Sequence, residues 1–282
     1  MQLNLSASNM SLLERTKLLL RRYRISPNKL LSQNFMIEPS IFESMSDYAS
    51  LNQDDVALDV GAGLGFLTRF LAEKCKGVLA VEADDRLVQV LREQLGDLPS
   101  VTVLEGNVLK IQIPEFTKVV SIPPYQISSR LLLWFFKRDF DASVLIFQKE
   151  FANRLAALVG SEDYGWLTVL TYYHAECERL ENVPKWMFYP QPEVDSIIVR
   201  LKPKKPSPFT VNNEELFTRL VRSIFTQRNR KVRNAVHQFL RNVLAKTAED
   251  AEKATRSLPF RDERVRQLAP EDFGELLNAL SS

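Results

Sequence analysis

The sequence predicts an α/β protein: a mostly parallel sheet with helices on both faces, followed by a smaller all-helical domain. Three observations carry this. Strand-like and helix-like segments alternate from about residue 56 to 150, a glycine-rich turn follows the first strand, and the chain beyond residue 208 reads as helices alone. A length of 282 residues suits a domain of roughly 200 residues plus a smaller one.

The elements follow in order. "LLERTKLLLRRYR" (12–24) is basic and amphipathic, and reads as a surface helix packed on the domain or as a mitochondrial transit segment. "VALDV" (56–60) is a short buried strand, by its apolar run and the glycines after it. "FLTRFLAEKC" has helical spacing, with Phe66, Phe70 and Leu71 on one face. "VLAVEA" (78–83) predicts a second strand and "DRLVQVLREQL" (85–95) a second amphipathic helix. "VTVLEG" (101–106), "KVVS" (118–121) and "SVLIF" (143–147) supply three more strands. Such alternation makes βαβ units, whose sheets bind ligands at the carboxyl ends of their strands.

Farther along, "LTVLTYYHAECERL" (167–180) and "VDSIIVRLKP" (194–203) read as two long strands, an antiparallel pair closing the sheet edge. "KPKKPSP" (202–208) is a linker, because proline blocks both helix and ladder pairing. "EELFTRLVRSIF", "KVRNAVHQFLRNVL" and "PEDFGELLNAL" are helical, the last opening on the start signal Pro270-Glu271-Asp272.

Composition narrows the class. Hydrophobic residues at 45% and charged ones at 26% exclude wholesale disorder, and a net charge of +2 names no partner by itself. Cys75 and Cys177 are the only cysteines and lack metal-ligand spacing, so the sequence predicts no disulfide framework, no metal and a cytoplasmic setting. No apolar run approaches the roughly 20 residues that cross a bilayer. No secretory signal precedes the first helix.

Chemistry concentrates at two turns. "LDVGAGLGFLT" places Gly61, Gly63 and Gly65 directly after the first strand, where small residues permit a tight turn and close approach to a ligand. A tight connection without any ligand is the plainer alternative. The spacing differs from the Gly-x-Gly-x-x-Gly that cradles a pyrophosphate. Asp59 at the strand end repels phosphate and suits a cationic amino-acid group. Glu82 closes the second strand, where a carboxylate accepts from ribose hydroxyls. Ribose, adenine and a cationic methionine end without phosphate describe S-adenosylmethionine, which this pattern favours over a nicotinamide dinucleotide. Asn107, after the third strand, is placed for the adenine edge or is a surface turn.

The second turn, "SIPPYQISS" from Ser121, follows the fourth strand and so lies beside the same pocket. An exocyclic aromatic amine is a poor nucleophile, and a methyltransferase acting on it needs fixed acceptors for its hydrogens. Prolines hold backbone carbonyls still, and a tyrosine face can stack on an unstacked base. A structural turn with a core tyrosine is the alternative. Asn/Asp/Ser-Pro-Pro-Tyr turns serve amino-group methyltransferases, and this segment is similar to them.

From about residue 23 to 280 the chain resembles the ribosomal RNA adenine dimethyltransferases, which methylate two adjacent adenosines near the 3′ end of small-subunit rRNA. "SQNFMIEPSI" (32–41) looks like their Gln-Asn-Phe-Leu entry motif, which implies Gln33, Asn34 and Met36 against the cofactor. "DVGAGLGFLT" is similar to their cofactor loop, with Gly61 and Gly63, and "VEADDRL" (81–87) to their ribose-binding segment, with Glu82. "LIFQKEFANRLAA" (145–157), "DYGWLTVLTYY" (163–173), "FYPQPEVDSIIVRLKP" (188–203) and "IFTQRNRKVRNAV" (224–236) resemble segments specific to the family.

The resemblance implies a Rossmann-like class I methyltransferase with a mostly parallel seven-stranded sheet over 1–203, led by a helix at 10–24, and a small all-α domain over 204–282 for RNA or ribosome contacts. It implies S-adenosyl-L-methionine as cofactor, a pre-ribosomal small subunit as partner, and a monomer with no membrane attachment. Two departures stand out. Asn107 replaces the family's Asp, and Ile122-Pro123-Pro124-Tyr125 stands where the family has Asn-Leu-Pro-Tyr. Ile122, Pro123, Pro124 and Tyr125 are the expected catalytic turn, with Ile122 also against the cofactor. Ile122 offers no side-chain acceptor, so backbone carbonyls of the turn, or Ser121 after a local shift, must serve. A catalytically weak or inactive ribosome-assembly factor is the second expectation.

From Arg222 to Arg241 there are six cations and no acid: Arg222, Arg228, Arg230, Lys231, Arg233 and Arg241. With Lys202, Lys204 and Lys205 in the linker and Arg21, Arg22, Arg24 and Lys29 at the front, this predicts polyanion contact. A solvated helix face is the alternative. His174 and His237 are expected in core or surface roles.

Overall fold

The computed structural model describes residues 10–28 and 33–281, so Lys29 lies outside the described residues. Two compact units result: Met1–Ala152 with Glu178–Pro203, and Asn153–Cys177 with Lys204–Ser282. Residues 153–177, given on sequence to the first domain, therefore group with the C-terminal helices.

The first unit runs α1 (Leu12–Arg22), β1 (Phe35–Met36), α2 (Ser40–Ala49), β2 (Val56–Val60), α3 (Phe66–Ala72) and β3 (Gly77–Glu82). It continues with α4 (Asp85–Leu95), β4 (Val101–Glu105), β5 (Lys118–Ser121), α5 (Ser128–Phe135) and β6 (Ala142–Gln148). α6 (Lys149–Leu155) leads into the second unit, α7 (Trp166–His174) belongs to it, and β7 (Ala175–Val183) leads out again to β8 (Phe188–Tyr189) and β9 (Ser196–Pro203).

Seven strands form one sheet in the order β4-β3-β2-β5-β6-β9-β7. β2 pairs in parallel with both β3 and β5, and β4 and β6 extend the parallel run on either side. β9 lies antiparallel to β6, with Val199 opposite Leu145. Helices on both faces demand strands apolar on both sides, and Ala57, Leu58, Val119, Val120 and Val144 to Phe147 are fully buried. Chain order moves outward from β2 to β4 and then restarts at β5 on β2's other edge. That reversal opens a crevice at the strands' carboxyl ends. A separate two-stranded ladder sets Phe35 opposite Tyr189 and Met36 opposite Phe188.

The second unit adds α8 (Glu214–Phe225), α9 (Val232–Asn242), α10 (Ala248–Arg256) and α11 (Pro270–Ser281). Phe217, Leu220 and Ile224 of α8, Val236 and Phe239 of α9, and Phe273 and Leu277 of α11 are its buried core. α10 escaped the sequence reading because "AEDAEKATR" buries only Ala251 and Thr255.

One expected strand is a helix over most of its length. Residues 166–174 form α7, and the strand starts only at Ala175. Leu167, Thr168, Val169, Leu170, Thr171 and Tyr173 are all buried. A helix buried along most of its surface, here with only Tyr172 exposed, shows no apolar stripe, and its β-branched and aromatic residues then imitate a strand. The Thr168 hydroxyl accepts from the Gly165 N–H at 3.3 Å and starts the helix. Among the described residues no helix is long and apolar enough to cross a membrane, and no group of three His, Cys, Asp or Glu is placed to hold a metal.

Candidate active site

β2 ends at Val60, and the chain turns through Gly61, Gly63 and Gly65 at φ of 77°, 59° and 83°. The left-handed region favours glycine at each, and crowding adds a second demand. A Cβ on Gly61 would lie 2.7 Å from Cδ of Pro124, and one on Gly63 would lie 3.3 Å from the Phe35 ring. The Gly61 and Ala62 N–H groups donate to the Val81 carbonyl at 2.8 and 3.1 Å, fastening the turn to β3.

Above this turn lies a cavity of about 320 Å³, within the roughly 300–1,000 Å³ range of small-molecule sites. It gathers Gln33, Asn34, Gly61, Gly63, Glu82, Asn107, Ile122 and Pro124, which the sequence singled out from five separate segments. A smaller cavity of about 50 Å³ shares Asn34, Gly61, Gly63 and Ile122 and adds Met36 and Asp59.

The cofactor side is dense in acceptors. Glu82 takes the Gly63 N–H at 3.0 Å on one oxygen and those of Ala83 and Asp84 at 2.7 and 2.9 Å on the other. Burial nevertheless raises its carboxyl above the ordinary carboxylate value, against those hydrogen bonds. Asp84 caps α4 by accepting from the Arg86 N–H, and it also takes Nε2 of Gln33 at 2.8 Å. The Arg86 guanidinium beside it is the largest cause holding its carboxyl down at about 2. Oε1 of Gln33 accepts from the Asn28 N–H at 2.8 Å, so this amide is a clamp between α4 and the entry segment. Oδ1 of Asn107 takes the Leu109 N–H at 3.0 Å.

Asp59 departs from expectation. It is 1% exposed, and burial pushes its carboxyl up to about 7, opposed by the Thr68 hydrogen bond of 2.7 Å and aided by the Glu82 charge. Its negative charge at neutral pH is therefore partial, and a cation beside it would complete it. Acids and amides on this wall suit ribose hydroxyls and a cationic end group, and repel a pyrophosphate.

The target side is different. Ile122 and Pro124 line the large cavity, while Pro123 is buried and lines neither cavity. Tyr125 begins a short 3-10 turn, and its hydroxyl bonds Oγ of Ser196 at 2.8 Å. Burial of that hydroxyl pushes its pKa up to about 12, and the residue as a whole stays partly exposed. The ring is thus pinned at its polar end. Ser121 is not available as a substitute acceptor: it donates to the Val60 carbonyl at 2.8 Å and accepts the Val60 N–H at 2.9 Å, fully buried. That removes the local shift the sequence left open.

Several lining residues were not singled out on sequence: Phe35, Asp84, Gln126, Ile127 and Arg130. Asp84 carried a signal as the N-cap after a strand. Phe35 sits inside the Gln-Asn-Phe-Met stretch. Gln126, in the 3-10 turn before α5, and Arg130, in its first turn, are both exposed and carried none.

The basic residues of the second unit divide. Arg228 donates to the carbonyls of Glu162 and Ser161 at 2.7 and 2.8 Å. Lys231 pairs with Asp262 at 3.2 Å, and Arg233 bonds the same carboxylate. Arg230 is exposed, and the exposed Arg222 guanidinium lies 5.2 Å from the Trp166 ring centre. His174 is held neutral by burial, its pKa lowered to about 4, which fits a structural role.

Comparison with known proteins adds the following. Residues 25–268 match the family model described as ribosomal RNA adenine dimethylase. A protein of Methanosarcina acetivorans called probable ribosomal RNA small subunit methyltransferase A is 38% identical over 93% of this chain and 96% of its own length. One of the same name from Thermococcus kodakarensis is 37% identical over 90% of each. Among solved structures, a dimethyladenosine transferase from Plasmodium falciparum superposes with a TM-score of 0.72 at 26% identity, over 86% of this chain and 96% of that one. The 23S rRNA methyltransferase ErmE gives 0.62 at 27% identity, over 88% and 100%.

Proposed function

The chain belongs to the ribosomal RNA adenine dimethylase family, and on that premise we propose that it transfers methyl groups from S-adenosylmethionine to N6 of two adjacent adenosines near the 3′ end of small-subunit rRNA. The observation that carries this reading is the single cavity in which Glu82, Asn107 and the glycine turn face the Ile122–Pro124 corner. Bound S-adenosylmethionine supplies an electrophilic methyl on a sulfonium, which the adenine amine takes with loss of a proton.

The chain's own residues bind and orient. Glu82 holds the ribose hydroxyls, and Asn107 faces the adenine edge of the cofactor. Asp59 and Asn34 suit the amino-acid end, with Met36 closing the apolar side. The target adenine enters over Pro124 and stacks on the Tyr125 ring, which Ser196 holds still. Carbonyls of Ile122 to Pro124, stiffened by two prolines, accept from the N6 amine. Positioning of two ligands is the main contribution, since well-oriented groups gain on the order of 10⁵ M in effective concentration. Arg222 and Arg230 are offered to RNA phosphates, whereas Arg228, Lys231 and Arg233 first hold their own unit together. Family membership also supports a monomer working in the cytoplasm; light scattering and cell fractionation check both.

A second reading has its own observation. With Ile122 apolar and Ser121 committed to Val60, no side chain of the turn accepts from the amine, which favours a slow methyltransferase acting mainly as an assembly factor. The test is incubation with labelled cofactor and unmodified small subunits, followed by mass spectrometry of the nucleosides. Dimethyladenosine on the subunit rRNA supports the proposal. Cofactor binding without product supports the second reading.

A further inference from the structure

The N-terminal helix α1 uses two faces. Thr16, Leu19 and Leu20 are buried, Leu19 and Leu20 in a cluster with Phe35 and Leu87. Lys17 and Arg21, four apart, lie on a second face and, with Arg24, line a groove floored by Ile25 and Tyr189. Among the described residues no acid lines this groove, and of its three cations only Lys17 has an acid near it, Glu14 three residues before it on the helix. Arg22, which the sequence grouped with them, points elsewhere, 3.9 Å from Glu93. Nζ of Lys17 stands 5.3 Å from the Tyr189 ring centre, the arrangement that also accepts a stacked base.

Arg24 gives a second, independent observation. α1 ends with the Ile25 N–H bonded to the Leu20 carbonyl at 2.8 Å and the Arg24 N–H to that of Arg21 at 3.1 Å. This helix-ending pattern puts Arg24 at φ 52°, where glycine is the unstrained choice. Cations in the last turn of a helix favour its dipole, which accounts for Arg21. Lys17, nearer the middle, has the Tyr189 ring and Glu14 beside it, whereas Arg24, past the end at a strained position, is left without a structural reason.

The groove adjoins the active site. Tyr189 pairs with Phe35 across the β1–β8 ladder, and Phe35 lines the large cavity. We propose that Lys17, Arg21, Arg24 and Tyr189 form a binding site for the single-stranded RNA that flanks the target adenosine, with phosphates on the three cations and a base on the tyrosine ring. The inference rests on the proposed RNA substrate. Single-stranded RNA fits because the cations line a groove beside an aromatic face, and because a base can reach the cavity only when unstacked.

The test measures binding of a fluorescein-labelled single-stranded RNA with two adjacent adenosines to the full chain at several salt concentrations. Removing all three cations (K17A/R21A/R24A) is expected to lower affinity at least about tenfold and to flatten the slope of log affinity against log salt by about 2, at roughly 0.7 per phosphate contact. Cofactor affinity of the triple variant, measured by calorimetry, should equal wild type and certifies the fold. Arg24→Gly separates this role from a structural one: it relieves the left-handed strain, so its urea midpoint should rise while RNA affinity falls. Tyr189→Phe should bind as wild type does and Tyr189→Ala more weakly. Unchanged RNA affinity and salt slope in the triple variant would overturn the proposal, as would equal competition by polyglutamate. Charge-dependent RNA binding by a wild type that methylates no ribosomal RNA would sustain the groove and overturn the proposed function. Methylation of subunits by a wild type whose groove variants bind unaltered would do the reverse.

Discussion

The two walls of the active-site cavity are built on opposite principles. On the cofactor wall, Glu82, Asp84, Gln33 and Asn107 carry charge or amide groups, each already engaged with a backbone N–H. On the target wall, Ile122 and Pro124 have no polar side-chain atom, Ser121 and Tyr125 spend theirs on Val60 and Ser196, and the polar side chains of Gln126 and Arg130 line the cavity only beyond this corner. Under the proposed function, recognition on the first wall is by side chains held by the backbone, and on the second it is left to the backbone, held by side chains. A substitution on the cofactor wall should therefore cost binding, and one on the target wall should change rate.

The comparison can be broken at Glu82 first. Glu82→Ala removes the ribose acceptor and strands three N–H groups, so cofactor affinity is expected to fall about a hundredfold, given about 1.5–3 kcal/mol for hydrogen bonds to a charged group. Isothermal titration calorimetry would show it; an affinity within threefold of wild type would remove Glu82 from the site. Gly61→Ala comes next, because its Cβ collides with Pro124 at a left-handed position. A loss of about 1–3 kcal/mol in urea unfolding is expected, since the strain has no outlet.

Tyr125 sharpens the target wall. Tyr125→Ala should weaken RNA binding and slow transfer by about tenfold, in line with roughly 1–3 kcal/mol for a stacked base, while Tyr125→Phe keeps the ring and loses only the Ser196 bond. Nearly equal rates for the two variants would show that the ring takes no part.

Asp59 gives the smallest effect and a signed pH dependence. Its folded pKa of about 7 lies above the ordinary aspartate value of 3.8, so the folded protein binds the extra proton between those values. Stability contributed by this group therefore falls as pH rises from about 4 to 7. Cofactor affinity should move the other way, rising a few-fold from pH 6 to 8 as the carboxylate forms. Asp59→Asn should flatten both trends, read by thermal melts and calorimetry.

How much of this the sequence disclosed follows the range of the interactions. β2, β3 and α4 were legible because their apolar spacing is local, and the glycine turn because left-handed backbone excludes most other residues. The strand expected at 167–180 became a helix up to His174 because burial along most of α7 leaves no period to read. Phe35, Gln126 and Arg130 reach the cavity through tertiary placement, which spacing cannot encode. The basic stretch 222–241 lacked acids in sequence, yet Asp262 meets Lys231 and Arg233 from 31 and 29 residues away in the chain.

Ile122 is where the contrast between the walls can be measured most directly. Ile122→Asn adds a side-chain acceptor at the Ile122–Pro124 corner, which has none, and single-turnover methylation of unmodified small subunits reads the result. Loss of one preorganised group typically costs 10²–10³-fold, so restoring one is expected to raise the rate at least about tenfold at unchanged cofactor affinity. A rate equal to or below wild type, with cofactor affinity intact, would show that the backbone suffices and contradict a target wall limited by its missing side-chain acceptor.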